Sequence, residues 1–529
     1  MDRDDVTSAG AAPALASRRD WLGLAVIALP CLLYAMDLTV LELALPRISE
    51  DLKPSSATLL WIVDIYGFLV AGLLITMGNL GDRIGRRRLL LLGAAGFGVA
   101  SVIAALSRSA GMLIAARALL GIAGATLAPS TLSLIRNMFL HPRQRTFAIG
   151  VWTASYSIGG ALGPLLGGVM LRYFHWSAVF LLAVPVMMLL LALGPVLLPE
   201  FRDRAAKPLD VRSAALSLVA VLSVVFGLKL LSEQGLALVP LVSILAGVAL
   251  AAAFARRQLA LDDPLIDLAL LRTPTFAASL ARYMVATLVT FGSYFVVAQY
   301  LQLVAGLSPL VAGLWMLPWS VSYVVGSFLA PLLARRASPA LVMAGGLVVA
   351  ACGFVAVAVA LAAGLGVGAV IVGSTVYSLG MSPVFTLGID SILAAAPARR
   401  AGAASGLAET CSELGGALGI AVLGSLGTAI YRGHFSDTTL AGVPMAARQA
   451  AIETLGGAVA AATPLTPPAQ EKLLGTARLA FTHATQATLA LCAALALATA
   501  VGSVVARRRA RSRVPTTARA VAGPGGAPS

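Results

Sequence analysis

Four carboxylates stand where water is scarce. Asp37, Asp64, Glu409 and Glu413 interrupt apolar runs in a chain of 529 residues that is 59% hydrophobic and 12% charged. An ionisable side chain near a bilayer centre costs about 2.5–3.5 kcal/mol on insertion scales, so each one needs a task. Glu409 and Glu413 are four residues apart and stack on one helix face. Two carboxyl groups that close repel when both are ionised, which favours a proton shared between them. A cation arriving in place of that proton would meet a negative site, so the chemistry indicated is exchange of protons for a cationic guest. Arg117, also inside an apolar run, is the positive counterweight that would bias a nearby carboxylate toward release.

Aromatic rings could complete a site for flat or quaternary cations through cation–π contact. Tyr34 lies three residues before Asp37 and Trp61 three before Asp64, while Trp152 and Tyr156 share one helix face. Trp315, Trp319 and Tyr323 recur at four-residue spacing. The rings rank below the acids, because interface belts and packing also account for single Trp and Tyr residues. Among the other charges, Asp390 reads as a capping or loop-pairing residue, Arg282 as a snorkelling one, and Lys229 with Glu233 as a pair.

The elements that must hold these groups follow from composition. With a mean hydropathy of +0.91, the natural solvent is a bilayer. The net charge of +15 could suggest nucleic acid, but the arginines cluster in short loops between apolar runs. Runs long enough to cross hydrocarbon as helix fall near 20–44, 58–78, 89–106, 111–136, 146–171, 177–198, 211–232, 237–255, 275–303, 309–333, 340–361, 367–390, 401–430 and 478–506. That makes fourteen, so both termini share a side. About 27 of the 38 Lys and Arg fall on that side against about 8 on the other, which marks it as cytoplasmic. The run from Trp21 reads as a retained anchor rather than a cleaved signal peptide.

The organisation expected is an all-α integral membrane protein. It has a tail at 1–19, a six-helix half at 20–200, a linker with two extra helices at 201–274, a second six-helix half at 275–506 and a basic tail at 507–529. The second half carries a long outer loop at 431–477. The four cysteines fall in apolar segments and read as buried thiols. His141, His175, His434 and His483 show no ligand spacing, so neither a metal nor an enzyme's metal centre is expected. No Gly-rich phosphate loop appears, which argues against ATP-driven pumping.

Two glycine patterns stand out. GNLGDRIGRRRLLLLG (78–93) puts Gly78, Asp82, Gly85, Arg86 and Arg87 in what reads as the loop between spans 2 and 3. Asp82 could accept from a neighbouring helix N-terminus, and Arg86 and Arg87 could pair with carboxylates or helix C-termini. The group reads as a conformational latch, with Arg88 a topology signal. In SIGGALGPLLGG (157–168), Gly159, Gly163 and Gly167 line one helix face and allow close helix contact, Gly168 follows, and Pro164 frees a backbone carbonyl.

These stretches carry a resemblance. Residues 78–93 resemble the G-x-L-a-D-r-x-G-r-k signature of the major facilitator superfamily, departing at Gly81, and GSFLAPLLARR (326–336) is a degenerate echo in the second half. MDLTVLELALP (36–46) resembles the D-x-T-V-x-x-x-A-L-P motif of 14-span drug:proton antiporters, with Glu42 a departure. RALLGIAG (117–124) resembles the Arg-x-x-x-Gly motif associated with proton coupling, and 157–168 resembles the antiporter motif. WIVDIY (61–66), LSLIRNMF (132–139), YLQLVAGLSPL (300–310) and GLAETCSELGGALGIAVLGS (406–425) are similar to bacterial exporters of quaternary ammonium compounds and cationic dyes. The similarity runs from about 20 to 505.

The resemblance implies a proton-coupled antiporter of lipophilic cations, including quaternary ammonium biocides, cationic dyes and fluoroquinolones. It would work as a monomer by alternating access in a bacterial inner membrane. It implies no cofactor beyond a proton gradient and no nucleic acid partner. An exporter of an endogenous lipid, peptide or secondary metabolite on the same fold is the alternative.

Overall fold

The computed structural model describes residues 15–52, 54, 56–202, 210–234, 237–261, 264–265, 268–397, 401–435 and 443–512. The side chains of some helical residues, Glu42, Asp64, Pro164, Lys229 and Glu233 among them, lie outside that set, and so do the expectations placed on them.

Among the described residues, fourteen helices are long and apolar enough to cross a membrane. Helix is the form that satisfies every backbone N–H and C=O within one segment, as hydrocarbon requires. In chain order they are α1 (Arg18–Leu52), α2 (Ser56–Ile84), α3 (Arg86–Ala105), α4 (Ala110–Met138), α5 (Pro142–Tyr173) and α6 (Trp176–Leu197). Then come α7 (Val211–Gln234), α8 (Leu238–Ala260), α9 (Pro274–Gln299), α10 (Val311–Leu333), α11 (Pro339–Ala362), α12 (Gly366–Ala395) and α13 (Ala401–Gly433). The short α14 (Met445–Glu453) and α15 (Leu455–Ala462) stand between α13 and the last long helix, α16 (Pro467–Ser512).

Local sequence sets the ends. Pro142, Pro274 and Pro339 open helices at the first turn, where a missing N–H is harmless. Ser109 caps α4 by accepting from Met112 N. Gly364 and Gly366, at φ +62° and +80°, make the tight turn between α11 and α12.

Two deviations from the sequence reading have physical causes. Residues 78–84 are not loop but the last turns of α2, and only Gly85 interrupts the helix before α3 begins at Arg86. The charges there are tolerated in helix because they are paired, as described below. Cys31 and Cys492 are buried, but Cys352 is exposed, a small apolar residue on the outside of α11.

The first half packs α1 against α5 and α2 against α4; the second packs α9 against α13 and α11 against both α12 and α16. The two extra helices pair closely, because Gly227 and Gly247 have no Cβ; one added at either would sit 2.9 Å from a carbonyl of the other helix. α7 touches α2 in the first half and α13 in the second. At its basic end Asp210 accepts from Ser213 Oγ at 2.7 Å and pairs with Arg257 at 2.8 Å. Gln258 donates to Ser213 and accepts from Leu265 N, and Leu265 O accepts from Asn79 of α2 at 2.7 Å, which ties the extra pair to the first half.

Candidate functional site

Glycine spacing places Asp37. A Cβ at Gly159 would sit 2.1 Å from Leu32 O, one at Gly163 1.9 Å from Thr39 Oγ1, and one at Gly167 3.2 Å from Val40. The helix α5 therefore lies directly on the α1 segment that bears Asp37, while Gly168 faces open space. Asp37 Oδ2 accepts from Arg117 Nη1 at 2.6 Å. Arg117 is fully buried and spends its other donors on main chain, Nε on Ile62 O at 3.2 Å and Nη2 on Val63 O at 3.3 Å. Its guanidinium stands 4.6 Å from the centre of the Tyr66 ring. The pair is neutral as a unit and rigidly held on one side. A cleft of about 10 Å³ beside Asp37, lined by Val40, Val179 and Phe180, is the size of one water.

The second pair of acids comes from the other half. Glu413 on α13 accepts a hydrogen bond from the Tyr34 hydroxyl on α1 at 3.2 Å. Glu409, one turn away, is buried at 9% exposure, and its Oε1 has no hydrogen-bond partner among the described residues. It lies within electrostatic range of Tyr34 and Tyr156 of the first half and of Tyr283 and Tyr323 of the second. The site is thus built across the two halves.

The glycine device recurs there. A Cβ at Gly415 would meet Thr287 Oγ1 at 2.0 Å and Met284 O at 2.7 Å, and one at Gly419 would meet Leu288 O at 2.1 Å. Gly163 meets Thr39 and Met36 in the same way, so Met36-x-x-Thr39 and Met284-x-x-Thr287 are structural counterparts. Where the first copy carries Asp37, the second carries Val285. The acid sits on the first helix of one half and on α13 of the other.

Aromatic rings gather around these acids. Tyr34 lies 5.8 Å from both Tyr66 and Tyr156, and Trp152 packs edge-on to Tyr156 at 4.7 Å while donating to Thr131 Oγ1. Opposite, Trp319 stacks on Tyr323 at 6.0 Å and Tyr323 meets Phe385 at 5.8 Å. Trp61 and Trp315 are elsewhere, 46% and 43% exposed. A cavity of about 580 Å³ lies farther along α13 toward α15, lined by Leu228, Phe295, Thr428, Tyr431, Leu455 and Phe481. None of Asp37, Arg117, Glu409 or Glu413 lines it.

At the face carrying the basic loops, the halves are joined by a set of polar contacts. Asp82 pairs with Arg86, and its Oδ2 accepts from Ala403 N at 3.3 Å in the first turn of α13. Gly78 is buried within α2. Gly85 has φ +112°, and a Cβ there would lie 2.5 Å from the Glu200 carboxylate. Glu200 accepts from Arg87 N and Arg88 N, both at 3.2 Å, and the Arg87 side chain donates to Pro195 O and Leu198 O. Arg145 Nε donates to Asp390 Oδ1 at 2.7 Å, Thr146 Oγ1 donates to Asp390 Oδ2 at 2.6 Å, and Arg136 reaches Ala396 O.

Tyr66, Thr146 and Glu200 carry no reading of their own in the sequence, where Arg145 counts only among the basic loop residues. A signal for Glu200 existed: it is a lone acid at a span end among arginines. Of the four histidines, the fold brings His434 and His483 into contact although 49 residues separate them. Arg282 donates to Ser279 at 2.9 Å.

A family model for the Major Facilitator Superfamily matches residues 27–420. The chain is 44% identical over 491 residues to the multidrug efflux pump LfrA of Mycolicibacterium smegmatis, covering 93% of this chain and 97% of that protein. It is 36% identical over 506 residues to the methyl viologen resistance protein SmvA of Salmonella typhimurium, covering 94% and 100%. Among solved structures, the human organic anion transporter MFSD10 (TETRAN) matches with a TM-score of 0.61 at 16% identity, over 91% of this chain and all of that one, a likeness of fold.

Proposed function

The chain belongs to the Major Facilitator Superfamily, and from that premise we propose that it is a proton-coupled antiporter exporting lipophilic cations by alternating access of its two halves. At the coarser level it is a multidrug efflux transporter embedded in a membrane through many crossings, and not an enzyme. We place it in a bacterial inner membrane with the basic loops and both termini in the cytoplasm.

The observation that carries the reading is the contrast between Glu409 and its neighbours. A carboxylate at this depth can be relieved by a hydrogen-bond donor, a cationic residue, a proton or a cationic guest. Glu413 has the Tyr34 hydroxyl and Asp37 has Arg117. Glu409 Oε1 has neither, which leaves proton or guest. The two exclude each other, and that exclusion is the coupling. When a proton holds Glu409 the site is neutral and a cation gains nothing by staying. When the proton leaves, the carboxylate and the rings of Tyr34, Tyr156, Tyr283 and Tyr323 suit a flat or quaternary cation. Methyl viologen is a flat dication, so the named resistance of the Salmonella relative supports this substrate class.

The Asp37–Arg117 pair gives a second point of exchange on the first half. Protonation of Asp37 would free Arg117, and the Asp82, Arg86 and Asp390 contacts would open as the halves rock. The test is dye transport in proteoliposomes under an imposed pH gradient. Transport driven by the gradient and lost in Glu409→Gln and Asp37→Asn is expected; transport indifferent to the gradient, or intact in both variants, would overturn the mechanism.

A further inference from the structure

Two imidazoles meet on the outer side of the molecule. His434, just past the end of α13, places Nε2 2.8 Å from Nδ1 of His483 on α16, with ring centres 4.9 Å apart and planes at 63°. The other nitrogen of His434, Nδ1, lies 2.8 Å from Ile430 O. A carbonyl can only accept, so Nδ1 carries the hydrogen and Nε2 presents its lone pair. The hydrogen shared between the rings is therefore the one on His483 Nδ1. Both side chains are exposed. The end of α13 is separately anchored, since the Tyr431 hydroxyl donates to Ala451 O at 2.6 Å.

We propose that His434 and His483 form a binding site for a divalent cation that prefers imidazole, of the Zn²⁺ class. A ring whose far nitrogen donates to a main-chain carbonyl is the arrangement that fixes tautomer and aim in metal-ligating histidines. With metal–nitrogen bonds of about 2.0–2.1 Å, two ligands stand about 2.8–3.0 Å apart at a right angle and about 3.3–3.4 Å apart at a tetrahedral one. The observed 2.8 Å needs an opening of about half an ångström for a tetrahedral ion and a turn of each ring so that both lone pairs converge, within reach of exposed rings turning about their side-chain bonds. On binding, His483 must present the lone pair of Nδ1, so its hydrogen moves to Nε2 through solvent. No net proton is released when both rings start neutral.

Solvent completes the coordination, because no group of three or more His, Cys, Asp or Glu ligands occurs among the described residues. The site is accordingly weaker than a closed structural zinc centre, and it offers no oxygen cage for Mg²⁺ or Ca²⁺. The nearby cation Arg432 is engaged with Glu453 O at 3.5 Å. Occupancy would link the outer end of α13, the helix bearing Glu409 and Glu413, to α16. The inference stands on this geometry and does not depend on the transport reading.

The test is calorimetric titration of the full chain, in detergent and free of any polyhistidine tag, with Zn²⁺ at pH 7.5. One ion per chain is expected, with affinity falling at least ten-fold in His434→Ala and in His483→Ala and unchanged in His175→Ala. Zn²⁺ should also raise the wild-type melting midpoint and leave that of the double variant alone. Equal binding by wild type and the double variant, no binding by wild type, or competition by Mg²⁺ would each overturn the assignment.

Discussion

The Tyr34 hydroxyl on α1 donates to Glu413 on α13 at 3.2 Å, a bond that crosses from one half of the molecule to the other at the level of the acids. A hydrogen bond to a charged group is worth about 1.5–3 kcal/mol, and each 1.4 kcal/mol is a factor of ten. Tyr34→Phe keeps the ring and removes only the donor. Dye export in proteoliposomes should fall about ten-fold, and a wild-type rate in this variant would show that the bond is idle in the cycle.

The approach of α5 to α1 leaves no room at Gly159, where a Cβ would sit 2.1 Å from Leu32 O, whereas Gly160 has nothing within 4 Å. Overpacking of this kind costs about 1–3 kcal/mol. Gly159→Ala should lower the melting midpoint in detergent and depress transport, and Gly160→Ala should do neither. Equal effects of the two would mean that the helix contact is not as tight as described.

Asp390 holds Arg145 and Thr146 across the halves at 2.7 and 2.6 Å. In Asp390→Ala the basic-loop face should open more often. A cysteine introduced at the buried Ser405, in a chain with its native cysteines replaced, reports this as maleimide labelling. The rate should rise roughly ten-fold, the factor for a 1.4 kcal/mol shift in the closed population; an unchanged rate removes Asp390 from the closure.

Asp210 lies outside the spans. The Ser213 hydroxyl first and Arg257 second stabilise its charged form and hold it below the usual carboxylate range. A carboxylate depressed in this way adds stability above its unfolded value of about 3.9, and the gain disappears as pH falls through the lowered value. Asp210→Asn should therefore melt below wild type at pH 7. The gap should narrow progressively as pH falls below the unfolded carboxylate value; a gap that stays constant over that acid limb points to packing instead of charge.

Periodicity and charge carried most of the architecture: runs of apolar residues mark the fourteen helices, and the spacing of Glu409 and Glu413 marks one face of α13. Spacing could say that Gly159, Gly163 and Gly167 share a face but not that α1 lies on it. No local pattern announces that Tyr34 closes on a residue 379 positions away. Residues 78–84 look like loop because they carry charge and glycine, yet they stay helical because Asp82 has Arg86 and the amide of Ala403 to answer it. The contact of His434 with His483 is hidden for the same reason as that of Tyr34, since a pair joined only by tertiary packing has no spacing to read.

The extra helix α7 rests on α2 of one half and α13 of the other at once. Gly72 admits Leu218 so closely that a methyl group there would lie 2.4 Å from it. Should the halves swing, both footings cannot survive unchanged, and the Asp210–Ser213–Gln258–Leu265–Asn79 chain makes the α2 footing the one that is pinned. The sliding then falls on the α7–α13 seam, so wear on that surface, in the form of bulkier or stickier side chains, would act as a brake on turnover without touching a single acid.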